Sequence, residues 1–133
     1  MDRCVSLSKS GRFDVIIDDA SHVGWLSRAS FDYLLFNGLR DGGLYFVEDY
    51  GTGYGPDFYD GAQYKRASYA PDDRSFPSHD AGTVGWVKQL IDEMHLPAVL
   101  PREPNHYPIA SIQYWPSIAL VQKTGTHTSI QRR

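Results

Sequence analysis

The stretch FDVIIDDASH, residues 13–22, decides how the chain around it is read. FDVIID is a run dominated by strand-forming aliphatics, the pattern of a parallel strand covered on both sheet faces. It gives way to the loop DDASHV, which carries two adjacent aspartates and a histidine. Leu26, Ala29, Phe31, Leu34, Leu35 and Leu39 then recur at roughly helical spacing within LSRASFDYLLFNGLR. The glycine pair in RDGG is the expected helix stop. GLYFVED, residues 43–49, is a second buried strand that also ends in acids.

The rest of the chain extends this alternation. Residues 50–79, rich in Gly, Pro, Asp and Tyr, show no clear periodicity and are expected to form a lid-like loop. Ser78 or Asp80 can cap the next helix, AGTVGWVKQLIDEMH, whose apolar face is Val84, Val87, Leu90, Ile91 and Met94. Four prolines are expected to keep LPAVLPREPNHYP extended. IASIQYW and SIALVQK, hinged at Pro116 and Ser117, have hairpin spacing. The order predicts an α/β fold: a mainly parallel sheet with an antiparallel C-terminal hairpin, flanked by helices. Residues 1–12 are expected to be a helix tail or linker, 13–123 the folded unit, and 124–133 a disordered tail.

The chain has 133 residues and a net charge of -3, which argues against a nucleic-acid binder that must displace counterions from phosphates. No apolar run reaches the ~18 residues of a membrane span. The start, MDRCVSLSKSGR, has no hydrophobic signal core. Cys4 is the only cysteine, so no internal disulfide forms and a reducing, cytoplasmic setting is expected. The nine tyrosines and three tryptophans lie largely in loops and the last third, where they either line a pocket or fill the core.

In open α/β sheets, ligands bind beyond the carboxyl ends of the strands. Asp18, Asp19 and His22 follow the first strand there, and Glu48 and Asp49 the second. If the strands are neighbours, their ends lie about 5 Å apart, close enough for carboxylates from both to share a hard cation such as Mg²⁺. Without a cation, such acids repel and some take up protons. A structural reading stands beside this one: Asp19 or Ser21 caps the following helix, and His22 is a surface residue. As a neutral imidazole, His22 is equally suited to take a proton from a substrate hydroxyl near pH 7.

FDVIIDDASH, LRDGGLYFVEDYGTGY and SIQYWPSIALVQK together resemble the C-terminal half of macrocin- and mycinamicin-type sugar O-methyltransferases. These are class I enzymes dependent on S-adenosylmethionine and Mg²⁺, and the cephalosporin-hydroxylase-like family shares the pattern. The resemblance covers most of residues 13–55 and again 108–123. It rests chiefly on Asp-Asp-x-Ser-His followed about thirty residues later by Glu-Asp. The resemblance implies Asp19, Glu48 and Asp49 as metal ligands and His22 as the general base toward a sugar hydroxyl. It implies for Asp18 either a turn-orienting role or a contact with the cofactor. The implied fold is a partial Rossmann-like methyltransferase sheet equivalent to strands four to seven, joined to an N-terminal half that carries the main cofactor cradle. Two other functions remain open: a noncatalytic module that self-associates through its exposed first strand, and a metal-dependent hydrolase using the same acids.

Overall fold

The structure, a computed structural model, describes residues 11–63, 80–100 and 107–125. The N-terminal linker up to residue 10, residues 64–79 of the lid-like segment, residues 101–106 and the tail from 126 lie outside the described residues. In chain order the elements are β1 (Phe13–Asp18), α1 (Gly24–Asn37), β2 (Leu39–Val47), a 3-10 turn (Tyr50–Tyr54), α2 (Tyr59–Gln63), α3 (Gly82–Val99), β3 (Ile109–Trp115) and β4 (Ile118–Lys123). The segment after β2 therefore contains two short helical pieces. Among the described residues, no helix is long and apolar enough to cross a membrane.

The strand order is β1-β2-β4-β3. Among the described residues only β1 and β2 pair in parallel; β4 runs antiparallel to both β2 and β3. The sheet is thus mixed, with its parallel part confined to the strands that carry the acidic ends. The hairpin turns at Pro116 and at Ser117, whose φ is 61°, and it inserts its second strand, not its first, beside β2.

The core explains the pairing. Phe31 and Leu35 on α1, Trp86, Val87 and Leu90 on α3, and Tyr45, Val47, Ala119 and Val121 on the sheet form one buried cluster. Phe31 stands edge-on to Tyr45, with ring centroids 5.0 Å apart, and tilts against Trp86 at 5.4 Å. Burying each large apolar side chain contributes about 1.5–3 kcal/mol, so helical spacing on α1 and α3 translates directly into two helices held on one sheet face.

Four expectations need correction. Leu39 belongs to β2 and not to the α1 face; Gly38 closes the helix, its N–H bonding Leu34 O at 2.9 Å. Gly42 and Gly43 lie inside β2 instead of stopping a helix, where the register slips from Phe13↔Leu39 to Val15↔Leu44 and Gly42 takes a φ of 73° that glycine alone adopts easily. Pro97 sits within α3: near a helix end it forfeits one ladder bond, and the helix still closes through Leu100 N–H to Leu96 O at 2.7 Å. Finally, β1 is not covered on both faces. Ile16 packs on the core, whereas Val15 and Ile17, two residues apart and so on one face, are 46% and 60% exposed.

Candidate functional site

The parallel register sets the site. Asp18 faces Val47, and the Glu48 N–H bonds Asp18 O at 3.0 Å, so the loops after β1 and β2 leave the sheet side by side. Both loops then turn through the left-handed region, His22 at φ 50° and Asp49 at φ 51°. That conformation costs a residue with a Cβ about 1–2 kcal/mol and persists only where the surroundings hold it.

The turns bring three donors together. One ligand atom each from Asp19, His22 and Asp49 lies within 4.8 Å of the others, and His22 Nε2 is 3.5 Å from Asp19 Oδ1. Asp19 and Asp49 are exposed and His22 is half-buried, so the cluster opens to solvent. Two carboxylates and an imidazole in this arrangement can hold a divalent cation while leaving positions for water or substrate oxygens. The half-buried Glu48, the fourth predicted residue, is not among the three donors that converge.

Asp18, one residue before Asp19, points the other way. It is 9% exposed and its carboxylate accepts the Tyr45 hydroxyl at 2.9 Å. Burial pushes the Asp18 carboxyl above its ordinary value, while bonds from Tyr45 and the Ala20 backbone and the proximity of His22 pull it back in part. Burial likewise raises the Tyr45 phenol, and the Asp18 charge raises it further. Alternation along the strand thus gives one aspartate to the interior and its neighbour to the site.

The helix caps are not where the sequence placed them. Val23 and Ala81 are the N-cap residues of α1 and α3, and neither makes a side-chain cap bond. Asp19 faces the donor cluster, Ser21 Oγ accepts the Val23 N–H at 3.3 Å, Asp80 pairs with Lys88, and Ser78 lies outside the described residues. Both helix starts are served instead by Asp60 of α2, which is 1% exposed. Its Oδ2 accepts the Gly24 N–H at 2.8 Å and the Thr83 N–H at 2.6 Å. This convergence requires glycine: a Cβ on Gly24 would lie 2.3 Å from the Gly82 carbonyl carbon, and one on Gly82 would lie 2.6 Å from Asp60 Oδ2. Asp60 and Thr83 are the site-supporting residues that sequence reasoning missed. Their only sequence signal, an aspartate before a glycine and a threonine after one, is common in loops.

Comparison with known proteins adds similarities of sequence and fold. No family model matches the chain. It is 33% identical over 129 residues to 8-demethyl-8-alpha-L-rhamnosyl tetracenomycin-C 2'-O-methyltransferase of Streptomyces olivaceus, a match covering 92% of this chain and 30% of the relative. It is 36% identical over 120 residues to mycinamicin VI 2''-O-methyltransferase of Micromonospora griseorubida, covering 85% and 26% respectively. Demethylmacrocin O-methyltransferase of Streptomyces fradiae is 31% identical over 121 residues, covering 87% of this chain and 27% of the relative. Among solved structures, the MycE methyltransferase of the mycinamycin biosynthetic pathway, in complex with Mg and SAH, superposes with a TM-score of 0.63 at 28% identity, over 99% of this chain and 34% of MycE. The chain therefore spans between 26% and 30% of the length of these curated relatives. By sequence and by fold, it is a homologue of the sugar O-methyltransferases of macrolide and tetracenomycin pathways and matches one part of their length.

Proposed function

We propose that this chain supplies the metal-and-base part of a Mg²⁺-dependent methyl transfer from S-adenosylmethionine to a hydroxyl of a sugar or glycosylated natural product. The observation that carries the reading is the convergence of Asp19, His22 and Asp49 at the ends of two parallel strands. The donor chemistry fits a hard cation: two exposed carboxylates give oxygen ligands, and Glu48 adds a further carboxylate from the same strand end. His22, the imidazole of this set, takes the proton of the acceptor hydroxyl at its ring nitrogen. Asp19, beside His22, then faces the imidazolium that forms and stabilises it. When bound, Mg²⁺ supplies Lewis acidity that stabilises charge developing on the sugar oxygen, and S-adenosylmethionine supplies an electrophilic methyl group.

Asp18 contributes indirectly in this reading. Its carboxylate is engaged with Tyr45, so it fixes the turn that presents Asp19. Among the described residues, no glycine-rich turn leads from a parallel strand into a long helix; GTGYG follows β2 but forms the 3-10 turn.

Titrating the chain with Mg²⁺ while following its thermal unfolding tests the proposal. An ion bound only by the folded state adds about 2.7 kcal/mol of stability at a hundredfold excess over Kd. Asp19→Ala and Asp49→Ala should each abolish that gain. A wild-type chain that shows no Mg²⁺ response would sink the reading. One observation favours a second reading, self-association through β1. The outer edge of β1 carries the exposed Val15 and Ile17, which with Phe13, Ile16 and Leu34 line a shallow recess of about 290 Å³. A stable dimer lacking any Mg²⁺ response would favour it.

A further inference from the structure

The proposed reaction uses neither Asp60 nor Thr83, yet both are fully buried beside the loop that carries His22. The Thr83 hydroxyl lies 3.0 Å from the His22 carbonyl oxygen and 2.8 Å from Asp60 Oδ2. Its single proton bridges two acceptors, one on the site loop and one on the buried carboxylate. Asp60 in turn fixes the Thr83 backbone through its N–H and fixes the start of α1 through Gly24 N–H. The two helices that flank the His22 loop are therefore tied to one carboxylate, and the loop carbonyl is tied to the same knot.

We propose that Thr83, held by Asp60, is a positioning residue for His22. The carbonyl anchor keeps His22 in its left-handed turn, and that turn aims the imidazole at Asp19 and Asp49. A left-handed histidine needs such an external hold, because its own local preference is to relax to negative φ. The inference rests on the reading of His22 as the base, and it adds a residue 61 positions away that sets the base's geometry.

The test uses the full chain, with Thr83→Val to remove the hydroxyl at constant shape and Thr83→Ser to restore it. NMR hydrogen exchange and the His22 ring resonances are the readouts. In Thr83→Val, the His22, Val23 and Gly24 amides should exchange roughly tenfold faster, the size expected for one lost buried hydrogen bond. The His22 ring signals should shift, while the Asp49 turn and the β4 core keep wild-type rates. Thr83→Ser should bring the His22 loop back to wild-type behaviour. Unchanged His22 signals in Thr83→Val would overturn the proposal. So would a uniform rise across the whole chain that Thr83→Ser does not reverse, because that marks a role in folding alone. If Thr83→Val does not fold, the wild-type chain still decides. A slowly exchanging Thr83 hydroxyl proton with contacts to the His22–Val23 peptide supports the anchor, and a freely exchanging one refutes it. None of these readouts involves Mg²⁺, so a failed metal-and-base reading shows separately, as a wild-type chain indifferent to the ion.

Discussion

The two loops that build the site solve one problem in two ways. Each places one donor of the candidate cluster on a left-handed residue, and each offers that residue's carbonyl to a threonine hydroxyl. For Asp49 the threonine is Thr52, three positions along, at 2.7 Å and in contact with solvent. For His22 it is Thr83, 61 positions along, at 3.0 Å and part-buried. The Asp49 turn is also closed by the Thr52 N–H, so its threonine anchor lies within one short segment, while the Tyr50 N–H that follows reaches Ser117 O at 3.3 Å. The His22 turn is determined by the meeting of α1, α2 and α3 at Asp60. One threonine anchor is local and the other tertiary, and disturbances at the Asp60 knot should reach the second more than the first.

The strongest way to break that asymmetry is at the glycine contact. In Gly24→Ala the new methyl would sit 2.3 Å from the Gly82 carbonyl carbon and 2.5 Å from the Thr83 nitrogen, where backbone and not a flexible side chain must yield. Overpacking of this kind costs about 2–3 kcal/mol. Urea denaturation should show that loss, and NMR should show it concentrated at residues 21–24 and 82–84, with the Asp49 turn intact. A loss below about 0.5 kcal/mol would mean that the two helix starts are not held together as tightly as the geometry indicates.

A smaller perturbation probes the local half. Thr52→Val removes one exposed hydrogen bond and should lower global stability by less than about 1 kcal/mol. Its effect should fall on Asp49: Mg²⁺ affinity, read by calorimetry, should weaken roughly fivefold, the factor that corresponds to about 1 kcal/mol. The His22 ring signals should stay where they are. If Thr52→Val moved His22 as much as Asp49, the two halves would be one cooperative unit and the division drawn above would fail.

The same division explains what could be read from the sequence. Features that depend on neighbours in the chain were legible: the apolar run of β1, the helical spacing around Phe31 and Leu35, the hairpin at Pro116 and Ser117, and the acids at strand ends. The convergence of Asp19, His22 and Asp49 could be anticipated because strand ends in a parallel pair lie together. The misreadings share a cause. Proximity points to Asp19 or Ser21 and to Asp80 as caps, whereas a carboxylate from another element occupies both helix starts; Ser78 lies outside the described residues. Gly42 and Gly43 looked like a helix stop because pattern alone cannot tell a stop from a bulge, and the register that decides between them comes from β1. Glu48 lies outside the converging three because adjacent residues at a strand end point in different directions, and the turn after them decides which one faces the cluster.

The buried acid of the His22 half gives the subtlest test, and its sign can be worked out. Asp18 has its carboxyl raised in the folded chain above 3.8, chiefly by burial. The folded state therefore binds this proton more tightly than the unfolded state does. The resulting contribution to stability is complete below about 3.8 and is lost as pH rises through the raised folded value. Asp18→Asn cannot titrate, so the stability of the wild type relative to this variant should fall as pH climbs through that window and then level off. Comparing the two proteins across pH cancels the titrating groups that do not interact with Asp18. The opposite slope, with the wild type gaining on the variant as pH rises, would show that the bonds from Tyr45 and the Ala20 backbone outweigh burial. Asp18 would then be a satisfied anion inside the fold, held by its hydrogen bonds as firmly as the Asp49 turn is held by Thr52, and the His22 half would rest on two buried carboxylates and not on Asp60 alone.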